Sequence, residues 1–213
     1  MKIVVFGITG RIGSRVAKEA LDRGHDVTGV ARDPSRINLI HPKLRTLKGD
    51  VTDGSSVATI AASHDAVVCA VGPSPSDSSI DVIIKAPGAL IDGLRRAGIR
   101  RFLVVGGAGS LEVTPGRILL DTPDFPAAWK PVAKAAAEAL TQYRKEKELE
   151  WTYLSPAALI EPGKRTGSYR TGEEKLLTDA KGNSAISMED FAVAVVDELE
   201  KPRHLRQRFT VAY

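Results

Sequence analysis

The chain has 213 residues, of which 43% are hydrophobic and 26% charged, with a formal net charge of +4 and a single cysteine. That composition is ordinary for a globular protein, no apolar stretch approaches the roughly 20 residues that cross a bilayer, and Cys69 has no partner for an internal disulfide. The basic residues are scattered and aromatics make up only 5%, so nothing reads as a nucleic-acid stripe, and one domain over 1–213 that binds small molecules, with no membrane contact, is the expectation.

Residues 2–6 form an apolar, β-branched run that predicts a strand. Gly7-Ile8-Thr9-Gly10-Arg11-Ile12-Gly13 follows at once, then a helix from about Ser14 and a second strand over 27–31. In that order Gly7 permits a tight turn, Gly10 lets the backbone approach a pyrophosphate, and Gly13 lets helix and strand pack closely, while the first N–H groups of the helix face the phosphates. A carboxylate closing the second strand would bond a ribose 2′-hydroxyl. Here Ala31 is followed by Arg32, whose guanidinium suits a 2′-phosphate, with Arg11 as a second positive charge. NADP(H) is therefore expected in preference to NAD(H), and Asp33 reads as a loop residue ahead of Pro34. A strand that starts directly after Met1 leaves no room for a signal peptide, so a cytoplasmic location is expected.

A third strand is predicted over 44–48, placing Asp50 and Val51 at the carboxyl edge of the sheet, with Asp53 as N-cap of a short helix over 55–62. The continuous apolar run 66–71, which contains Cys69, reads as a central strand buried on both faces. Residues 74–79 read as a polar loop contacting cofactor or substrate. A helix over 80–97 has Ile83, Ile84, Ala86, Leu90, Ile91 and Leu94 as its buried stripe, a kink at Pro87-Gly88 and Gly98 as its stop. The fifth strand, 101–105, runs into Gly106-Gly107-Ala108-Gly109-Ser110, where three glycines imply close passage, expected to be of the nicotinamide half of a cofactor. Residues 111–126 are irregular and read as a substrate-facing loop.

The longest helical pattern runs over 129–148, with Val132, Ala133, Ala136, Ala137, Leu140 and Tyr143 facing inward. A sixth strand over 151–154 leads into a loop to Gly163, and 164–182 is polar and turn-rich. A capping pattern at Ser187 starts a helix that runs to Glu200, and 208–213 closes the chain as a strand. The alternation predicts an α/β fold, a doubly wound, mostly parallel sheet of about seven strands with helices on both faces, carrying a small substrate-facing portion over 155–185. The four histidines lack metal-ligand spacing, and no metal is expected.

The ordered set G-I-T-G-R-I-G at 7–13, V-A-R-D-P at 30–34, G-D-V-T-D at 49–53, A-V-G at 70–72, V-G-G-A-G-S at 105–110, S-P-A at 155–157 and I-S-M-E-D-F-A at 186–192 resembles the atypical short-chain dehydrogenase/reductase group. The resemblance is strongest to NAD(P)H-binding proteins related to NADH-flavin reductases, biliverdin reductase B and NmrA-like regulators. It implies Thr9, Gly10, Arg11 and Ile12 at the pyrophosphate, Arg32 at the 2′-phosphate, Asp50 and Val51 at the adenine, and Ala70, Val71 and Gly72 beside the ribose. It also implies Pro156, Ala157 and Ala158 at the nicotinamide. Alcohol-oxidising members use Tyr-x-x-x-Lys at the start of the long helix; here Lys134 matches the lysine and Lys130 stands where the tyrosine would be. Tyr143 and Lys147 have the literal spacing but fall at the far end of that helix.

Hydride transfer to a flavin, quinone or similar conjugated acceptor does not require such a tyrosine. The expectation is an NADPH-dependent reductase with flavin as substrate rather than as a bound prosthetic group, and with Ser110 as polar contact, Lys130 as charge stabiliser and Lys134 as ribose clamp. Gly106 and Gly107 would flank the cofactor. The alternatives are a catalytically idle NADP(H)-binding redox sensor and, further off, a nucleotide-sugar-type epimerase. The chain is expected to act as a monomer or homodimer on a small-molecule acceptor.

Overall fold

The computed structural model describes residues 1–72 and 80–213. Seven parallel strands form the body of one sheet: β1 (Lys2–Phe6), β2 (Asp26–Ala31), β3 (Leu44–Lys48), β4 (Ala66–Cys69), β5 (Arg101–Val105), and the later strands Glu150–Ser155 and Gln207–Ala212. Between them lie a short hairpin of β6 (Glu112–Thr114) and β7 (Arg117–Ile118), so Glu150–Ser155 is β8. Beyond β8, β9 (Leu159–Glu161) pairs with β11 (Ala185–Ser187), and β10 (Arg170–Gly172) joins the edge of the main sheet antiparallel to β12, Gln207–Ala212. The strand order is β10-β12-β8-β5-β4-β1-β2-β3. Successive strands move one way from β1 to β3 and the other way from β4 onward, so the winding reverses between β1 and β4, where open α/β sheets bind ligands at their carboxyl edge.

Alternate residues of β1 feed opposite faces. Ile3 and Val5 join a core with α1 (Arg11–Asp22) and Met188–Glu200, whereas Val4 and Phe6 join a core with α2 (Gly54–Ala61), α3 (Asp81–Ala97) and α4 (Lys130–Lys145), which makes Met188–Glu200 α5. The main sheet therefore has eight strands where about seven were expected. The additional strand, β10, is three residues in a polar stretch with no periodicity of its own, recruited by backbone pairing to β12. The 111–126 segment carries the β6–β7 hairpin and a 3-10 turn, Leu119–Asp121, and β4 ends at Cys69 rather than at 71.

Two helices differ from expectation in the face they bury. On α3 the buried residues are Ala86, Pro87, Leu90, Gly93 and Leu94, while Ile84 is 41% exposed. Gly93 is inside because a Cβ there would lie 2.6 Å from both the Gly54 carbonyl and Val57 Cβ, so α2 and α3 meet backbone against side chain. The α3 helix runs unbroken through Pro87. On α4, Ala133, Ala135, Ala139, Leu140 and Tyr143 are buried, whereas Val132, Ala136 and Ala137 are only partly so. That helix begins at Lys130, with Pro131 in its first turn, after a 3-10 turn Ala127–Trp129. Asp53 and Ser187 cap α2 and α5, accepting hydrogen bonds from the amides of Ser55 and Asp190, and Gly98 closes α3 at φ 71°. Cys69 is buried, and burial pushes its thiol up to about 12. Among the described residues no helix is long and apolar enough to cross a membrane.

Candidate functional site

All seven parallel strands end at one edge, which gathers the segments after β1, β2, β3, β4, β5 and β8. In the first of these, Gly7 sits at φ +84°, and a Cβ on it would lie 2.6 Å from the Ala70 carbonyl oxygen that closes β4. A Cβ on Gly13 would lie 2.1 Å from the Gly7 oxygen, so α1 rests directly on the turn. Gly10 is different. Its φ of −78° suits any residue, and the protein approaches its Cβ position no closer than 3.1 Å, again from the Gly7 oxygen. As N-cap of α1 it offers no side-chain oxygen, and the first turn holds no acidic residue, so this helix end keeps its positive partial charge facing outward. Thr9 and Arg11 are exposed and Ile12 packs against the α1–α5 core. Ile8 is buried and packs over Gly29 on β2, where a Cβ would lie 2.3 Å from Ile8 Cδ1.

At the end of β2, Arg32 is exposed and Asp33 is committed elsewhere: its carboxylate accepts from the Ser35 hydroxyl at 2.7 Å and the Ser35 amide at 3.1 Å. Those hydrogen bonds, then the charges of Arg36 and Lys48, hold its pKa below the usual carboxylate value. Arg36 and Lys48 are both exposed. The Asp50 carboxylate accepts from the Thr52 amide at 2.9 Å and its hydroxyl at 2.8 Å, and Val51 is buried beside it. Ala70 and Val71 are half-buried and Gly72 is exposed; the 74–79 loop lies outside the described residues.

The glycines after β5 are approached closely. What passes close to them is the protein itself: a Cβ on Gly106 would lie 2.0 Å from the Tyr153 ring, one on Gly107 would lie 3.3 Å from Ala136 Cβ, and one on Gly109 would lie 2.7 Å from Ala133 Cβ. The Tyr153 hydroxyl donates to the Ala136 carbonyl at 3.0 Å and accepts from the Gly107 amide at 3.3 Å, locking this loop to α4. Ser110 is tied down too: its hydroxyl and carbonyl accept from Arg208 at 2.8 and 3.2 Å. Arg208, almost fully buried on β12, also pairs with Glu174, which in turn accepts from Arg144 at 2.8 Å. Pro156 and Ala157 are buried, and Ala158 is exposed with its amide donating to Ser184 at 3.1 Å. Lys130 and Lys134 stand exposed on the first two turns of α4, with no hydrogen-bond or ion-pair partner among the described residues. Tyr143 is core, edge-on to Phe102 at 5.7 Å, and burial pushes its hydroxyl well above the ordinary tyrosine value.

The start of α5 carries a structural job that sequence reading did not find. Asp190, fully buried, accepts from the Thr166 amide and hydroxyl, the Gly167 amide and the Tyr213 hydroxyl at 2.6–2.8 Å. Burial alone would raise its pKa, but these hydrogen bonds outweigh it and hold the carboxylate below the usual value. Glu189 accepts from the Gly163 amide at 2.7 Å and pairs with Arg15 at 2.6 Å, and Arg15 in turn donates to the Arg11 carbonyl at 2.8 Å. The segment after β9 is thereby tied to the helix that opens at the glycine turn.

The sequence matches the family described as NAD(P)H-binding over residues 7–202. It is 42% identical over 214 residues to the uncharacterized protein YwnB of Bacillus subtilis (strain 168), covering 99% of this chain and 98% of that protein. A crystal structure from Burkholderia pseudomallei, of a protein named provisionally as exported, superposes with a TM-score of 0.91 at 46% identity over all of both chains. One from Streptococcus pneumoniae TIGR4, named provisionally as an NADH-flavin reductase, does so with a TM-score of 0.86 at 36% identity, covering 100% of this chain and 99% of the other.

Proposed function

The chain belongs to the NAD(P)H-binding family, and from that premise we propose that it is an NADPH-dependent reductase of a flavin, quinone or similar conjugated acceptor. The observation that carries the reading is Gly10. Gly7 and Gly13 are demanded by the protein's own backbone, but at Gly10 the tightest approach among the described residues is 3.1 Å, from the Gly7 oxygen, and the uncapped N-terminus of α1 opens beside it. A glycine left over by packing at a positive helix end fits a pyrophosphate. The exposed Arg32 at the end of β2, with Arg36 and Lys48 close to the adjoining Asp33, favours a further phosphate on the ribose.

Bound there, the dihydronicotinamide would supply a hydride to the acceptor ring, one proton coming from water to complete the two-electron reduction. The chain contributes position and charge. Pro156 and Ala157 form a buried floor at the end of β8, Lys134 orients the ribose, and Lys130 supplies positive charge where the acceptor docks. Ser110, held by Arg208, presents fixed polar backbone at the same edge. The literal Tyr-x-x-x-Lys pair at 143 and 147 is out of play, because Tyr143 is core and Lys147 donates to the Arg144 carbonyl at the opposite end of α4. Steady-state oxidation of NADPH and NADH, with and without FMN, riboflavin or a simple quinone, tests this. Acceptor-dependent turnover preferring NADPH supports it, and turnover on no acceptor refutes it.

A further inference from the structure

The chain has two tryptophans, and they are used in opposite ways: Trp151 is 2% exposed, Trp129 is 61% exposed. An exposed indole offers a flat apolar face and an N–H donor to whatever reaches it. Trp129 is not on a loose tail. It closes the 3-10 turn that feeds α4, its amide donates to the Pro126 carbonyl at 3.0 Å, and one turn later Ala133 abuts Gly109 just past the end of β5. That fixes it at the edge where an acceptor must approach. Lys130 is its neighbour, exposed and without a partner among the described residues, and Ile84, 41% exposed, lies in the first turn of α3 at the same edge.

We propose that Trp129 and Lys130 form an outer subsite for the acceptor. The indole face stacks a flat conjugated ring, and the ammonium pairs with an anionic substituent on it, so the site prefers a phosphorylated ring compound over its neutral parent. This rests on the reductase reading, to which it adds the charge and shape of the substrate.

FMN and riboflavin share one ring system and differ by a phosphate, so binding of each, followed through the flavin's own emission, separates the two halves of the subsite. Wild-type protein binds FMN about fivefold more tightly than riboflavin at low salt, the range of an exposed ion pair. Lys130→Gln removes that gap, and Trp129→Ala weakens both flavins about tenfold, the scale of one aromatic stacking contact, while Trp129→Phe restores most of the loss. Equal affinities for the two flavins, or a Trp129→Ala variant that binds as the wild type does, overturn the proposal. So does a Trp129 emission that shifts to the blue as protein concentration rises, which would mean that a second copy covers the indole. Riboflavin turnover without a preference for FMN sinks the subsite and leaves the reductase standing; flavin binding of the stated pattern without turnover does the reverse.

Discussion

The two glycines at the ends of the Gly10 to Gly13 step separate folding from binding, and their alanine variants are expected to fail in different assays. In Gly13→Ala the new methyl would sit 2.1 Å from the Gly7 oxygen and 2.7 Å from its carbonyl carbon, both backbone, with no flexible side chain to yield. Relieving that overlap means lifting α1 from the β1 turn, at a cost of about 3 kcal/mol or more. At roughly 2–4 °C per kcal/mol for a chain of this size, Tm falls by about 6–12 °C. In Gly10→Ala the backbone at φ −78° and ψ 162° accepts alanine, and the single contact at 3.1 Å is relieved by a shift of a few tenths of an ångström. The loss of chain entropy in the unfolded state offsets that strain, so stability stays within about 1 kcal/mol of wild type. The methyl does, however, occupy the place proposed for a pyrophosphate, and NADPH affinity should fall about a hundredfold, or roughly 2.7 kcal/mol. Thermal melts and calorimetric titration of the two variants decide the matter. A Gly10→Ala protein that binds NADPH normally would refute the reasoning, as would a Gly13→Ala protein that melts with the wild type.

Arg32→Ala should raise the Kd for NADPH about 10- to 100-fold, the worth of a charged hydrogen bond, and leave NADH within about twofold; equal losses for both cofactors would show that Arg32 does not read the 2′-phosphate. Asp190 has a folded pKa held below its unfolded value near 3.9, so its contribution is complete above about pH 4 and drains away as pH falls through the folded value. Glu19, Glu174 and Glu189 shift in the same direction, and urea midpoints measured from pH 7 down to 3 should therefore decline on the acid side. Asp190→Ala, which removes the acceptor of four hydrogen bonds and strands the Thr166 and Gly167 amides, costs about 3 kcal/mol at neutral pH, and its acid limb is shallower than that of the wild type. Tyr143→Phe should leave kcat within about twofold, since the ring stays in the core and only the hydroxyl goes; a loss of two or more orders of magnitude would make Tyr143 the missing proton donor.

The seven parallel strands and their helices could be read from the sequence because most strands are apolar runs bounded by polar or glycine punctuation, β3 alternates apolar and polar, and three helices carry a cap or stop, at Asp53, Ser187 and Gly98. What escaped was written in tertiary contacts. The β10 strand has no pattern and exists through β12, while Gly93 and Gly29 look like poor helix and strand residues until Val57 and Ile8 are seen pressing on them. At 106, 107 and 109 the sequence showed that something passes close, but not that Tyr153 and α4 do so. Arg208 did leave a trace, an arginine opening the apolar run Phe209-Thr210-Val211-Ala212 at the chain's end, which is costly unless it is paired inside. Of the acidic residues in the 186–192 motif, the sequence suggested a cap and nothing more, because the partners of Glu189 and Asp190 lie 23 to 174 residues away.

In the proposed reaction hydride leaves a nicotinamide held at the β1 turn and arrives on a conjugated ring. The most direct test is an anaerobic reaction of the protein with equal amounts of NADPH and FMN, both absorbances being followed together. Nicotinamide and flavin absorbance are expected to fall in step and in equal molar amounts, at a rate set by the protein and lost in Gly10→Ala. NADPH that binds tightly while both absorbances stay constant would contradict it and make the chain a redox sensor.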